Sequence, residues 1–387
     1  MKIKFTLTLL IACLGNFVFA QNEITITQEA NAPGATKPIL ISVTGLTGEA
    51  AEVLQFDLTV QGFKLVPADA AEHEVTGANV GNVQGKLANR VTKTVSFAKS
   101  YTGGSTRVQA HALADDIVEA ITKRKGIGQT RVAYKSKASG SGEIFVADFD
   151  GHNSQQVTRD AAIVTSPCWI PGQLGLLYTS YKLGKPEIFQ HNLSSGERKK
   201  FTSNNGDNFS PAISPDGRRV AFISNKGGWV DLYVCNRDGS GMKQLTTSRQ
   251  DESSPCWSPD SQTICYAGKV GERRSLFKIS ADGGSPTRIP TSGVSSPTEP
   301  DWSPDGKWIA FTRQGAGFEI CVVPASGGEA TVLVAGEDPS WAANSRTLIF
   351  AREIGHIYTL SVLDAFTKQS KDVARISGSN SQPSWRK

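Results

Sequence analysis

From about residue 130 onward, apolar residues come in short alternating runs. Arg219-Val220-Ala221-Phe222-Ile223-Ser224 is one, Asp231-Leu232-Tyr233-Val234-Cys235 the next, and Lys243-Gln244-Leu245-Thr246 a third. Alternation with period two predicts half-buried strands. Asn225-Lys226-Gly227-Gly228 and Arg237-Asp238-Gly239-Ser240-Gly241 lie between them and supply turns. The arrangement returns at Thr263–Ala267, Ser275–Ser280 and Thr287–Ile289, and again at Trp308–Thr312, Glu319–Val323 and Ala330–Val334.

Ahead of each group stands a short phrase, Pro, any residue, Trp, then a Ser-Pro-Asp-Gly turn. It reads Pro255-Cys256-Trp257-Ser258-Pro259-Asp260 and Pro300-Asp301-Trp302-Ser303-Pro304-Asp305-Gly306, with Ile213 in place of Trp after Pro211. Copies begin at Pro167, Pro211, Pro255, Pro300, Pro339 and Pro383, at spacings of 44, 44, 45, 39 and 44 residues. A fixed period in this range, with four short strands per period, predicts β-propeller blades. The Trp in each copy is expected to be an apolar anchor between blades. The copy at Pro383 lacks its other three strands, which are found upstream as Thr130–Lys135, Glu143–Asp148 and Gln155–Thr158. The last strand therefore closes the first blade, giving a six-bladed β-propeller over 129–387 with no free sheet edge to close.

Residues 21–128 have a different texture, and a small α/β domain is expected there. Ile24–Thr27, Ile39–Val43, Phe63–Pro67, Glu74–Val80, Leu87–Lys93 and Thr94–Lys99 read as strands. Ala50, Val53, Leu54 and Leu58 share one face of a helix over Ala50–Gln61, which Gly62 ends. Arg107–Arg124 is a second helix, with Val108, His111, Ala112, Asp115, Ile117, Val118 and Ile121 forming its mixed stripe. Residues 1–20 read as a secretory signal: Lys2 and Lys4, an apolar stretch, and Val18-Phe19-Ala20 before the cut. Leu10-Ile11-Ala12-Cys13 offers a lipoprotein signal as the less favoured alternative.

Charge changes the picture by exclusion. Net charge falls from +5 to +3 when Lys2 and Lys4 leave with the signal, too mild for a nucleic-acid partner. Five cysteines remain, and Cys168 and Cys256 occupy equivalent places in different blades, as do Cys235 and Cys321. Equivalent places in different blades are far apart, so buried thiols are expected rather than a disulfide framework. The five histidines (73, 111, 152, 191, 356) show no metal-ligand spacing, and no cofactor is expected. Gly-x-Ser-x-Gly, the nucleophile elbow of propeller-linked hydrolases, is missing from the sequence. A role without catalysis follows. A secreted propeller that binds a glycan or metal, or an enzyme or peptidase accessory using the same channel mouth, is the alternative.

The inner strand of each blade starts near its Pro, so the residues just before it ring one mouth of the central channel. They are Asp207, Asn208, Asp251, Glu252, Ser253, Glu299, Glu337 and Asp338. A ring of carboxylates can receive a basic or hydrogen-bonding partner surface, or a cation. It can also simply cap turns in water.

The junction between the two regions is the most specific stretch. Ala110-His111-Ala112-Leu113-Ala114-Asp115-Asp116-Ile117, then Ile121-Thr122-Lys123-Arg124-Lys125-Gly126 and Thr130-Arg131-Val132-Ala133-Tyr134, resemble the TolB family, periplasmic propellers of the Tol-Pal system. Asp148-Phe149-Asp150-Gly151-His152-Asn153 is similar to that family's first-blade turn. The chain departs from it in a shorter first domain around Pro67–Val80, in Ile121-Thr122-Lys123 where the family reads Leu-Thr-Gly, and in Ala343-Asn344-Ser345 for Pro-Asp-Gly. The resemblance implies a monomeric periplasmic adaptor in outer-membrane integrity and constriction during division. It implies docking of the lipoprotein Pal at the acidic mouth. It also implies binding of the inner-membrane protein TolA through the mature N-terminus, Glu23, Ile24, Thr25, Ile26 and Thr27. His111 and Asp115 are expected between the domains.

Overall fold

The structure is a computed structural model that describes residues 32–387. The signal, Cys13 and the Glu23–Thr27 segment lie outside the described residues.

Six four-stranded antiparallel sheets form a ring. Blade 1 takes its inner strand from Asn380–Trp385 and its other three from Arg131–Ser136, Glu143–Asp148 and Gln155–Gln156. Blades 2 to 6 begin with the inner strands Val164–Trp169, Asn208–Ile213, Glu252–Trp257, Pro297–Trp302 and Glu337–Trp341. The ring is thus closed by a strand about 250 positions downstream of its partner, as Asn380 opposite Ser136 shows.

The tryptophans lie between neighbouring blades. Trp257 packs on Ala221, Ile223 and Leu232 of blade 3, and its indole donates to the Ala212 carbonyl at 2.9 Å. Trp169 donates likewise to Ser384 O of blade 1 at 3.0 Å. Burying the ring while satisfying its N–H is what a core indole requires. The Ser-Pro-Asp-Gly turns close through the Ser hydroxyl: Ser258 and Ser303 each donate to the Asp two residues on at 2.6 Å.

The first domain is a five-stranded sheet in the order β2-β1-β3-β4-β5, with β1 Ile39–Thr44, β2 Phe63–Leu65, β3 His73–Ala78, β4 Val83–Asn89 and β5 Val95–Tyr101. Helices α1 (Gly48–Thr59) and α2 (Thr106–Thr122) pack on one face of it around Leu54, Leu58, Leu87 and Leu113. The face expected of α1 is the buried one. The stripe expected of α2 is rotated: Ala110, Leu113, Ala114 and Ile117 are buried, whereas Val108 is 48% exposed in the first turn. The reason is that α2 packs against both α1 and the sheet, with Leu113 seated over Gly85, so the buried arc turns away from Val108. Ser105 caps the start of α2, its hydroxyl accepting from the Val108 N–H at 3.4 Å. Lys123 ends the helix in a left-handed conformation (φ 60°), where glycine is the unstrained choice.

The domains share a buried seam. Phe149, in the first-blade turn, meets Phe56 of α1, His111 of α2 and Trp385 of the closing strand at ring-centroid distances of 5.7, 5.8 and 5.8 Å. His111 Nδ1 lies 2.6 Å from Asp57 Oδ2, and its Nε2 lies 3.4 Å from Asp150 Oδ2, which also pairs with Arg107. Asp115 accepts from the Gly128 N–H at 2.8 Å, and burial raises its carboxyl to about 7. On blade 6, Thr347 donates to Val60 O at 3.0 Å and Gln369 to Phe63 O at 3.1 Å. The first domain therefore sits on blades 6 and 1, at the end where the Ser-Pro-Asp-Gly turns lie.

Candidate functional site: the channel mouth

One backbone irregularity builds the channel. In every blade the register of the inner strand slips just around its Pro. The residue before that Pro is Ser166, Ser210, Ser254, Glu299, Asp338 or Gln382, and each has φ between 51 and 56°. Such a bulge re-aims one side chain, and all six residues border a central cavity of about 740 Å³. Most of the rest of its wall comes from the Pro-x-Trp phrases, from Pro167-Cys168-Trp169 round to Pro383-Ser384-Trp385, with the tryptophans of blades 5 and 6 set back from it. At its far end Lys387 reaches Asp301 at 2.9 Å, and Asp301 also accepts from the Trp341 N–H at 2.7 Å.

The throat is linked on one side. Glu299 Oε2 accepts from the Asp338 N–H at 3.2 Å, Asp338 Oδ2 from the Gln382 N–H at 3.0 Å, and Gln382 Oε1 from the Ser166 N–H at 3.1 Å. Each long side chain thus ties its blade to the next. The serines of blades 2 to 4 are too short to do so. Burial, then the neighbouring Glu299 and Glu337, push the Asp338 carboxyl well above its ordinary value. Burial, with Glu299 and Glu353 nearby, takes Glu337 to about 7. Lys135 of blade 1 is a cation facing this cluster, its own value lowered chiefly by burial.

The eight residues expected at the mouth divide. Asp251 is exposed and Glu337 half-buried at the rim. Asp207 holds the blade 3 hairpin, taking the Asn225 amide at 2.8 Å, and Ser253 takes the Arg274 guanidinium at 3.0 Å. Glu299 and Asp338 line the throat. Asn208 and Glu252 are corrections, because both side chains turn inward. Asn208 is fully buried and donates to Gly206 O at 2.8 Å and to Glu187 at 3.2 Å. Glu252 is 3% exposed and receives the Leu232 N–H at 2.9 Å, the Ser248 hydroxyl at 3.0 Å and the Thr246 hydroxyl. Burial lifts it to about 7. The reason is geometric: the residue two before each bulge faces the groove between blades, so a polar group there serves the neighbouring hairpin.

Sequence reasoning missed an apolar rim. The hairpin joining the second and third strands projects from the mouth face, because the second strand ends beside the start of the first (Asn208 opposite Ser224). These tips carry exposed Tyr181 and Leu183 in blade 2, Trp229 in blade 3, Val270 in blade 4, Phe318 in blade 5, and Ile354 and Ile357 in blade 6. Trp229 is 52% exposed. Their signal was a large apolar residue set among turn glycines, as in Gly227-Gly228-Trp229 and Gly315-Ala316-Gly317-Phe318. Apolar tips with charged groups beside them suit the mixed contacts of a protein interface. Among the described residues no group of three His, Cys, Asp or Glu is disposed to hold a metal ion.

Known proteins share this architecture. The crystal structure of TolB from Acinetobacter baumannii superposes with a TM-score of 0.79 over 92% of this chain and 98% of that one, at 21% identity, which speaks to fold. The Tol-Pal system protein TolB of Geobacter metallireducens is 31% identical over 153 residues, 32% of this chain and 35% of that protein. Its counterpart in Chromobacterium violaceum is 38% identical over 100 residues, 24% of this chain and 23% of that protein. These alignments span about a third or less of the relatives' length. Residues 118–387 match the TolB beta propeller domain, which is well over half of the chain. The chain belongs to the TolB β-propeller family.

Proposed function

We propose that the mouth face docks a protein partner, the Pal-type lipoprotein of the Tol-Pal system. The mature N-terminus around Glu23–Thr27 adds as a strand to a TolA-type inner-membrane protein. The chain then works as a monomeric periplasmic adaptor, by binding rather than catalysis, in outer-membrane integrity and constriction during division. The observation that carries this reading is the mouth rim: exposed apolar tips on five consecutive blades surround Asp207, Asp251 and Glu337. A small ligand in the channel would leave those tips without a role. A folded partner with basic and apolar contacts uses both.

The test is calorimetric titration of the mature protein with its cognate Pal. Trp229→Ala should cost about 2 kcal/mol, about 30-fold in Kd, and Asp251→Lys about tenfold. Neither should change the melting temperature, since both side chains are exposed. Absence of heat, together with no co-sedimentation with Pal, would overturn the reading.

A further inference from the structure

We infer that Cys256 and Cys265 form an oxidisable dithiol, a site for an intrachain disulfide across the first two strands of blade 4. The two residues are directly opposed partners on antiparallel neighbours. Their side chains lie on the same face, in the apolar layer between blades 4 and 5 with Leu276, Ile289 and Trp302. The thiols are near enough to perturb one another. Opposed residues of an antiparallel pair hold their Cα atoms about 4.5–5.5 Å apart, inside the roughly 4.4–6.8 Å that a disulfide spans. Closing the bond therefore takes side-chain rotation and no strand shift.

The repeat supplies an internal control. The equivalent pair is Ser384 and Ala133 in blade 1, Cys168 and Leu177 in blade 2, and Ala212 and Ala221 in blade 3. It is Asp301 and Ala310 in blade 5, and Ser340 and Ile349 in blade 6. Packing at this position is met by two alanines in blade 3, so it does not demand sulfur. Blade 4 alone opposes two thiols.

Access and reactivity set how the bond closes. Cys256 borders the channel cavity, whereas Cys265 is fully buried. Burial, and then the neighbouring thiol, hold Cys256 well above the ordinary thiol value, so in the folded protein this thiol stays protonated and exchanges slowly. Closure is fastest before blade 4 is packed against blade 5. With a small-molecule disulfide as oxidant, the Cys256 thiolate attacks one sulfur, and a mixed disulfide forms as one thiol leaves. The Cys265 thiolate then attacks the Cys256 sulfur and expels the second thiol. The oxidant gains two electrons and two protons, all drawn from the cysteine pair.

The experiment uses the full mature chain and oxidised glutathione in two arms, one native and one refolded from urea. Each is then denatured in alkylating agent and digested. Trypsin leaves both cysteines on one peptide, Gln250–Lys269, and a further chymotryptic cut after Trp257 separates them. The expected result in the refolded arm is that peptide unalkylated, lighter by two hydrogens, its two halves joined until reduced. Peptides carrying Cys168, Cys235 and Cys321 should be alkylated. A joined peptide in the native arm as well would support entry of the oxidant through the channel. Cys265→Ala, the residue blade 3 already uses, should restore alkylation of Cys256. Alkylation of both cysteines in the refolded arm, or a Cys265–Cys321 link, would overturn the inference.

Discussion

Trp385→Ala tests whether the closing strand holds the ring. The side chain is 2% exposed, stacked on Phe149 at 5.8 Å, and clustered with Val132, Ala147 and Ile349. Its indole also donates to Thr130 Oγ1 at 2.8 Å. Truncating a buried Trp to Ala costs about 3–5 kcal/mol in transfer and cavity terms. In a protein of this size each kcal/mol lowers Tm by about 1–2 °C, so a fall of about 3–10 °C is expected. Trp385→Phe keeps the stack and loses the N–H donor, so its cost should be about 1–2 kcal/mol. Trp229→Ala, which removes an exposed indole, should leave Tm unchanged. Thermal unfolding followed by near-ultraviolet circular dichroism reads all three. If Trp385→Ala melts within about 2 °C of the parent, alongside Trp229→Ala, then the closure carries no stability and the reasoning fails.

Glu252 makes stability fall with rising pH. Its folded value is about 7 against an ordinary 4.5, so the native state binds this proton more tightly than the unfolded chain. Its contribution is fully present below about pH 4.5 and lost as pH rises through about 7, amounting to about 3 kcal/mol at most. Glu252→Gln should flatten that loss in urea titrations at about pH 5 and about pH 8. Asp115 and Glu337 act in the same window in both proteins, so the difference isolates Glu252, and equal slopes would refute the assignment. Lys123→Gly relieves a left-handed helix end at an exposed position and should raise stability by about 0.5–1 kcal/mol. A drop on urea unfolding would contradict it.

The ring was legible because each strand announces itself twice, by alternation and by the turn that follows. Glu143–Asp148 and Thr287–Ile289 fall where the pattern put them. The rotated stripe of α2 was not legible, because alternating small and charged residues give a weak phase and the crossing helix decides. At the mouth, one-residue resolution was needed: in a strand, adjacent positions face opposite ways. Asp251 and Glu252 therefore part company, one in water and one between blades. The six pre-proline bulges add another reversal that no local residue preference announces, since Ser, Glu, Asp and Gln all adopt it. The opposed thiols of blade 4 were not legible, because the repeat relates positions in different blades and this pair lies within one.

The closing strand also orders events in time. Blades 2 to 6 are each built from consecutive hairpins, and such local pairings form early. Blade 1 must wait for Asn380–Trp385, and so must Phe149, whose partners come from α1, α2 and that strand together. The first domain, although synthesised first, completes its seat against Phe149 and Trp385 only after the farthest strand arrives. Full docking of the two domains is then a report that the ring is complete, and a chain halted before that step would present the mouth with its first domain only partly seated.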